Sequence, residues 1–177
     1  MRVLHVQKAK GIGGSERHLL TLLPALSARG VEVRMCVLQT GDGGRFVEEL
    51  RSAGVQVTVR RAGPDVNPVL VPGLVSEIRR FRPDVVHTHL VHADLHGQLA
   101  AALARVPAVS SVHGTPGFYR REPYRAIGRL AGRLAARRIA ISEHVAAFVR
   151  ELRLAGVDQI RVVYYGIDAS EWNTTAE

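Results

Sequence analysis

The sequence predicts an α/β fold in which helices flank a single parallel β-sheet. Short, valine-rich apolar segments alternate with segments of helical periodicity along all 177 residues. Several of the apolar segments lack polar alternation, which is typical of strands that are buried on both faces. Because strands that alternate with helices form right-handed βαβ units, this order favours a doubly wound parallel sheet.

Seven segments have the length and β-branched content of strands. They are Val3–Val6, Val31–Leu38, Val55–Val59, Val85–His87, Ala108–Val112, Arg138–Ile141 and Arg161–Tyr164. Six helices are predicted between them, over Ser15–Arg29, Arg45–Ala53, Val69–Phe81, Ala93–Arg105, Pro123–Ala136 and Glu143–Leu154. Gly30 and Gly54 mark the ends of the first two helices, and Ser142 marks the start of the sixth. Ligands of such sheets bind at the carboxyl ends of the strands, so the loops that follow the strands are the places to look for chemistry.

The composition is that of an ordinary globular domain, with 46% hydrophobic and 23% charged residues. The single cysteine, Cys36, excludes an internal disulfide framework and a cysteine-rich zinc site, and it fits a reducing compartment. No apolar run has the length of a membrane span, and the first residues enter a strand without the features of a signal peptide. We therefore expect a cytoplasmic protein.

The positive charge is concentrated in one segment. The net charge is +8, and seven arginines but only one acidic residue, Glu122, lie between Phe118 and Arg138. Within this segment arginines recur every four residues, at Arg121, Arg125, Arg129, Arg133 and Arg137, with an apolar face predicted at Ile127, Leu130, Ala131 and Leu134. No aromatic platform or helix-turn-helix pattern accompanies them, which argues against a nucleic-acid partner. The stripe formed by Arg121, Arg125, Arg129 and Arg133 is either a peripheral contact with the anionic inner leaflet or an ordinary solvated face.

A glycine-rich loop follows the first strand, with the sequence Gly11-Ile12-Gly13-Gly14-Ser15-Glu16. Adjacent glycines let backbone amides approach a ligand, and the helix N-terminus behind them favours an anion such as a phosphate. The dinucleotide fingerprint is not met, because Glu16 occupies the place of its third glycine. The alternative interpretation is a tight turn in which Ser15 caps the helix.

Histidines follow two other strands. The segment from His87 to His96 contains four histidines and Asp94, and His92 and His96 would share a helix face. A metal site is one interpretation, but the glutamate of a metalloprotease motif is missing, and strand alternation places Thr88 opposite His87 and His89. We expect a polar lining of a substrate cleft and no metal. His113 directly follows the strand Ala108–Val112, where a structural role and a ligand-binding role are both open.

Five motifs, in order, resemble those of family-4 glycosyltransferases. Gly13–Leu19 is similar to the G-G-x-E-r-x-l signature, and Arg82–His89 is similar to the kPDvvHtH strand. Val112–Gly114 resembles the tvHg loop and Ala140–Ser142 the iavS motif. Val163–Asp168 resembles vipNGvD, with Tyr165 in the place of the asparagine. The resemblance covers essentially the whole chain.

The resemblance implies one half of a two-domain GT-B enzyme built from two Rossmann-like domains. Such enzymes transfer a sugar, with retention of configuration, from a UDP- or GDP-sugar to a glycan, lipid-linked or small-molecule acceptor, usually without a metal or cofactor. It implies an acceptor-side N-terminal domain over residues 1–168, the start of an interdomain linker over 169–177, and no C-terminal donor-binding domain. Motif matches place Gly13, Gly14 and Ser15 at the donor diphosphate, His113 in a catalytic hydrogen-bonding role, and His87, His89 and Glu16 on the acceptor side.

In that family an E-x7-E motif and an Arg/Lys pair of the C-terminal domain hold the nucleotide and the diphosphate. The resemblance therefore implies that this chain alone is inactive as a hexosyltransferase. The alternatives are a stand-alone module that binds an acceptor or a lipid without catalysis, and a hydrolase built on a histidine-bound metal.

Overall fold

The computed structural model describes residues 1–39, 44–63 and 66–166, and these contain a seven-stranded sheet. Every neighbouring pair of strands is parallel, in the order β3-β2-β1-β4-β5-β6-β7. The strands are β1 Arg2–Ala9, β2 Glu32–Gln39, β3 Gln56–Arg61, β4 Val85–His89, β5 Ala108–Val112, β6 Arg137–Ala140 and β7 Ile160–Val162. The predicted doubly wound parallel sheet is confirmed, with each predicted strand displaced by at most a few residues.

The six predicted helices are also present. They are α1 Gly14–Ala28, α2 Gly44–Ser52, α3 Leu70–Phe81, α4 Leu90–Ala104, α5 Tyr124–Leu134 and α6 Glu143–Glu151, and two short 3₁₀ turns lie at Gly117–Arg120 and Val157–Gln159. Gly30 and Gly54 adopt φ values of 79° and 80°, which suits the left-handed residue that follows a helix. Ser142 caps α6, because its Oγ accepts a hydrogen bond from the backbone N–H of Val145 at 3.2 Å.

The helices divide unevenly between the two faces of the sheet. The core of one face joins α1 and α2 to β2 through residues such as Leu23, Met35 and Phe46. The opposite core joins α3 and α4 to Leu4 and Val86, and α6 packs on the same side against Val112 and Ala140. Within the described ranges, no helix covers β4 to β7 on the α1 face. The strand order reverses between β1 and β4, which makes this place the switch point of the sheet. Parallel sheets bind ligands at such a point, and here the described helices fully cover it on only one side.

The start of α1 differs from the predicted one. The helix begins at Gly14 and is preceded by Gly13 in extended conformation, so Ser15 is its second residue and not its cap. The N–H of Gly13 donates instead to the Oε2 atom of Glu16 at 3.0 Å. This carboxylate closes the first turn of the helix, and Gly13 and Gly14 are both exposed.

The predicted apolar face of α5 is partly wrong. Ala131 is buried, but Leu130 and Leu134 are 50% and 36% exposed. The helix packs through small residues: a Cβ added to Gly132 would lie 1.8 Å from the carbonyl oxygen of Leu154. Since the backbones approach so closely, the larger leucines point outward.

None of the helices in the part of the chain that the structure describes is both long and apolar enough to cross a membrane. The residues Ile167 and Asp168 of the last motif, the predicted domain boundary at 168 and the predicted linker over 169–177 lie outside the described residues.

Candidate functional site

The candidate site lies at the carboxyl edge of the central strands. In the β1–β4 pair, His5 is in register with His87, and Gln7 is in register with His89. Because successive side chains of a strand alternate between faces, His5, His87 and His89 share the face that α1 only partly covers. Thr88 points to the other face, as the alternation predicts.

Five side chains form what we call the histidine cluster: His5, His18, His87, His89 and His113. The Nδ1 atom of His5 lies 3.0 Å from Nε2 of His89, and Nδ1 of His89 lies 3.0 Å from Nε2 of His113. The ring of His87 stacks on that of His89 with centroids 4.2 Å apart, and its Nε2 is 2.8 Å from the Oγ of Ser111. The cluster therefore connects β1, β4 and the loop after β5.

The buried rings of the histidine cluster are neutral at pH 7. Burial lowers the pKa of His5 and of His113 to about 3, with a smaller contribution from the charge of nearby His18. Burial also lowers the pKa of His87 and His89 well below 6.5, and that of half-buried His18 below 6.5. A neutral imidazole has one N–H donor and one acceptor, so the cluster can orient hydroxyl groups without introducing a charge.

Tyr165 closes the cluster on the solvent side. Its ring stacks on that of His18 at 3.6 Å and an interplanar angle of 11°, and its hydroxyl contacts Nδ1 of His113. His5, His18 and Tyr165 were not among the site residues predicted from the sequence. His5 is 84 residues from His89, so its place in the site can be recognised only when β1 is known to pair with β4.

The glycine loop lies at the end of the neighbouring strand β1. A Cβ added to Gly14 would meet nothing within 4 Å, so the space above this residue is open. Both carboxylate oxygens of Glu16 are engaged: Oε1 accepts from Nε2 of Gln7 at 2.6 Å, and Oε2 accepts from Oγ of Ser15 at 3.0 Å. In this arrangement Glu16 shapes the loop, and the space beside Gly14 at the start of α1 is open.

Asp94 and His96 of the His87–His96 segment do not line this site. Asp94 is 1% exposed on the opposite face of the sheet, where its Oδ2 lies 2.7 Å from Nη2 of Arg138. His96 is 3% exposed; its Nδ1 is 2.7 Å from the carbonyl of His92, and its Nε2 accepts from the backbone of Asn67 at 3.0 Å. The expected polar lining thus excludes Asp94 and His96, because α4 turns both side chains into the core.

Three members of the histidine cluster could offer nitrogens to a metal ion. Ring nitrogens of His5, His87 and His89 lie within 4.8 Å of one another. An ion at this place would have to replace the hydrogen bond between His5 and His89, whose facing nitrogens are 3.0 Å apart.

An apolar groove extends from the histidine cluster along the uncovered face of the sheet. It has a volume of about 380 Å³ and is bordered by His5, His18 and His87 at one end. Its remaining wall is mostly aliphatic, with Val3, Val85, Val109, Ile139 and Val163. The groove is continuous with the candidate site.

The arginine stripe lies apart from the cluster, on α5 and the segment before it. Arg121 and Arg133 are exposed. Arg125 pairs with Glu122 at 2.8 Å, and the Nε of Arg129 donates to the carbonyl of Leu152 at 3.1 Å. Arg121 and Arg133 are thus the exposed members of the predicted stripe, and Arg125 and Arg129 are partly buried.

The sequence matches a known protein family. The family model described as Glycosyltransferase Family 4 matches residues 12–171. The chain belongs to this family. The resemblance that the sequence motifs indicated is thereby confirmed. No curated protein matches the sequence significantly.

Solved structures share the fold of this family-4 domain. HepE from Anabaena, in complex with UDP-glucose, matches with a TM-score of 0.80 at 20% identity, over 99% of this chain and 47% of that chain. A glycosyltransferase from Rickettsia africae matches with a TM-score of 0.73 at 18% identity, over 99% and 46%. UDP-GlcNAc 2-epimerase from Neisseria meningitidis, bound to UDP-GlcNAc, matches with a TM-score of 0.66 at 17% identity, over 92% and 46%.

The chain therefore spans about half the length of the structures that it matches. The prediction of a Rossmann-like domain that corresponds to one half of a GT-B enzyme is confirmed. Because an epimerase shares the fold, the fold alone does not distinguish sugar transfer from epimerisation.

Proposed function

We propose that this family-4 domain is the acceptor-side, N-terminal half of a retaining glycosyltransferase that transfers a hexose from a UDP- or GDP-sugar to a glycan, lipid-linked or small-molecule acceptor. One observation carries the proposal: the exposed glycines at the start of α1 and the neutral histidine cluster lie together at the switch point of a family-4 domain. A donor-binding domain would complete the site.

Gly13, Gly14 and Ser15 would contact the diphosphate of the donor. The backbone N–H groups at the start of a helix carry partial positive charge and have no backbone acceptor within the helix. The N–H of Gly13 already donates to Glu16, so the amides of Gly14 and Ser15 would make the main contact. The open space above Gly14 lets a phosphate approach the backbone without a side chain in between. Complexes of Anabaena HepE with UDP and with UDP-glucose show that a protein of the same fold binds such donors.

His113 would donate a hydrogen bond to the sugar in the transition state. It follows β5 at the edge of the cleft. A Cβ added to the adjacent Gly114 would meet nothing within 4 Å, so there is room for a ligand beside His113. His87, His89 and Glu16 remain assigned to the acceptor side. Both polar atoms of the Glu16 and His89 side chains already have partners, so we propose that these two residues position their neighbours. Half-buried His87 lines the groove and would contact the acceptor directly.

A titration with UDP alone tests the proposed donor contact. We expect UDP in the millimolar range to shift the backbone ¹H–¹⁵N NMR signals of Gly13, Gly14 and Ser15. Gly14→Ala should weaken binding by about tenfold, because its methyl group occupies the space above the amides. Gly117→Ala is the matched control, since its Cβ also meets nothing within 4 Å. Shifts that spare residues 13–15, or an equal loss in both variants, would contradict the donor contact.

The isolated chain should not transfer a sugar. We expect no release of UDP from UDP-glucose above the buffer rate, because in the family the groups that neutralise the leaving diphosphate come mainly from the other domain. Release that scales with the concentration of the chain and disappears in His113→Ala would show that this half is catalytic by itself.

We also propose that the exposed side of α5 contacts an anionic membrane surface, where a lipid-linked acceptor would be met. Exposed Leu130 and Leu134 lie on the same helix as exposed Arg133, and Arg121 precedes it. This combination of apolar and basic side chains is typical of helices that lie at the membrane interface. If such a contact occurs without binding of UDP, it favours the alternative of a stand-alone lipid-binding module.

Co-sedimentation with vesicles tests the membrane contact. We expect the chain to bind vesicles that contain phosphatidylglycerol, and binding should weaken with salt. The double variant Arg121→Glu/Arg133→Glu should bind at least about tenfold more weakly, since each arginine near the surface contributes about 1 kcal/mol. Arg79→Glu/Arg80→Glu makes the same charge change on exposed residues of α3 and should bind as the unmodified chain does. Binding that is indifferent to salt, or equal in both variants, would refute the contact.

A further inference from the structure

Three rings of the histidine cluster form a row. His5 contacts His89 through Nδ1 and Nε2, and His89 contacts His113 through Nδ1 and Nε2, both at 3.0 Å. The Nδ1 atom of His113 contacts the hydroxyl of Tyr165. The row thus runs from the buried middle of β1 to the edge of the cleft, with both nitrogens of His89 engaged.

The row must have a single direction. Each contact needs one donor and one acceptor, and a neutral imidazole supplies one of each. Burial keeps these rings neutral, because it lowers the pKa of His5 and His113 to about 3 and that of His89 well below 6.5. Either all three rings carry the proton on Nδ1 and donate toward Tyr165, or all three carry it on Nε2 and donate toward β1.

The inner end of the row favours one direction. The Nε2 atom of His5 is buried and has no hydrogen-bond partner among residues 1–39, 44–63 and 66–166. With Nδ1–H tautomers this atom is an unused acceptor, whereas with Nε2–H tautomers it is a buried N–H without an acceptor. Buried N–H groups without a partner are the rarer of the two in proteins, so the direction toward Tyr165 is favoured.

We propose that His5, acting through His89, is a positioning residue that holds His113 in its Nδ1–H tautomer, so that His113 presents a hydrogen-bond donor to the cleft. In the structure this atom contacts the hydroxyl of Tyr165. The recipient in catalysis would be a hydroxyl of the sugar, and this part of the inference rests on the proposed function. The direction of the row does not depend on that function.

Tautomers are measured directly by long-range ¹H–¹⁵N NMR of the imidazole rings in the ¹⁵N-labelled chain at pH 7.5. We expect His5, His89 and His113 all to be Nδ1–H, with a ratio of at least about tenfold at His113. Histidine in water prefers the Nε2–H form, so three Nδ1–H rings would be a distinctive result. A predominant Nε2–H form at His113 would overturn the proposal without the need for any variant.

Two variants separate the row from general packing. His5→Ala opens the Nε2 atom of His89 to water in the groove, and water can donate or accept, so the Nδ1–H preference of His113 should fall severalfold. Ile139→Ala opens the same groove at β6, since Ile139 also lines it. Ile139 lies outside the row, and β6 is separated from β1 by two strands, so this control should leave the tautomer of His113 unchanged.

An equal response of His113 to both variants would overturn the role of His5. The dispersion of the amide spectrum reports in parallel whether each variant is folded. None of these readouts requires sugar transfer. If UDP does not bind but the tautomers are as expected, the proposed function alone is refuted. If UDP binds but His113 is Nε2–H, this inference alone is refuted.

Discussion

Asp94→Ala is expected to lower the free energy of unfolding by about 3–5 kcal/mol. The carboxylate of Asp94 and the guanidinium of Arg138 are 1% and 0% exposed and lie 2.7 Å apart. Without Asp94 the charge of Arg138 would remain in the core, with only the carbonyl oxygens of Gly128 and Leu154 as partners among the described residues. A buried charge without its counter-ion is among the most destabilising changes in a protein.

The cost is larger than that of one ion pair because Asp94 also organises three neutral side chains. Its Oδ1 accepts from the hydroxyl of Thr88 at 2.6 Å and from the amide of Gln98 at 3.3 Å. The hydroxyl of Ser110 lies 2.8 and 2.9 Å from the two carboxylate oxygens. The network joins β4, β5, β6 and α4, so its loss would also loosen the strands that carry His89 and His113.

Urea denaturation of the purified variant measures this effect. Glu49→Ala is the control, because its 3.0 Å pair with Arg45 is largely exposed and such pairs contribute about 0.3–0.5 kcal/mol. Asp94→Asn keeps the size of the side chain and removes only the charge, so it should also be strongly destabilised. Stability losses of similar size for Asp94→Ala and Glu49→Ala would show that Arg138 finds a compensating partner.

The fold could be predicted from sequence because its signals are local. Valine-rich runs such as Val31–Leu38 indicate strands, and Gly30, Gly54 and Ser142 mark helix ends within a few residues of their observed positions. The handedness of βαβ units then favours a doubly wound parallel sheet, but the order of its seven strands was not predicted. The start of α1 was misplaced because Ser15 and Gly13 are both common before a helix, and the contact of Glu16 with Gly13 decides between them.

The site could be predicted only in part, because several of its contacts are distant in sequence. Gly13, Gly14, His89 and His113 stand in short motifs at strand ends. His5 is recognisable only once β1 is known to pair with β4. Arg138 appears in the sequence as one more member of a basic run, but it is 44 residues from Asp94 and becomes its partner only through the sheet. Local patterns carry no information about such pairs.

The second large effect expected is a loss of stability in mild acid. Burial lowers the pKa of His5 and of His113 in the folded chain to about 3, whereas an unfolded histidine titrates near 6.5. Below pH 6.5 the unfolded chain therefore binds protons that the folded chain does not. The contribution of these histidines to the free energy of unfolding is fully present above pH 6.5 and decreases as the pH falls toward 3.

The slope in this window should be about 1.4 kcal/mol per pH unit for each such histidine, or about 3 kcal/mol per pH unit for His5 and His113 together. His87 and His89, whose pKa values burial also lowers well below 6.5, add to it. A domain with an ordinary stability of about 5–15 kcal/mol is therefore expected to unfold within this window.

Urea titrations at pH 7.5, 6.0 and 5.0 would measure the slope. His5→Leu removes one titrating ring, so its slope should be smaller by about 1.4 kcal/mol per pH unit. Leu4→Ala is the control: Leu4 is fully buried on the same strand and does not titrate, so this variant should lose the same free energy at every pH. A stability that is flat between pH 7.5 and 5.0 would mean that the cluster takes up protons without unfolding. The row of neutral rings would then also lose its single direction in acid, because a doubly protonated ring can only donate.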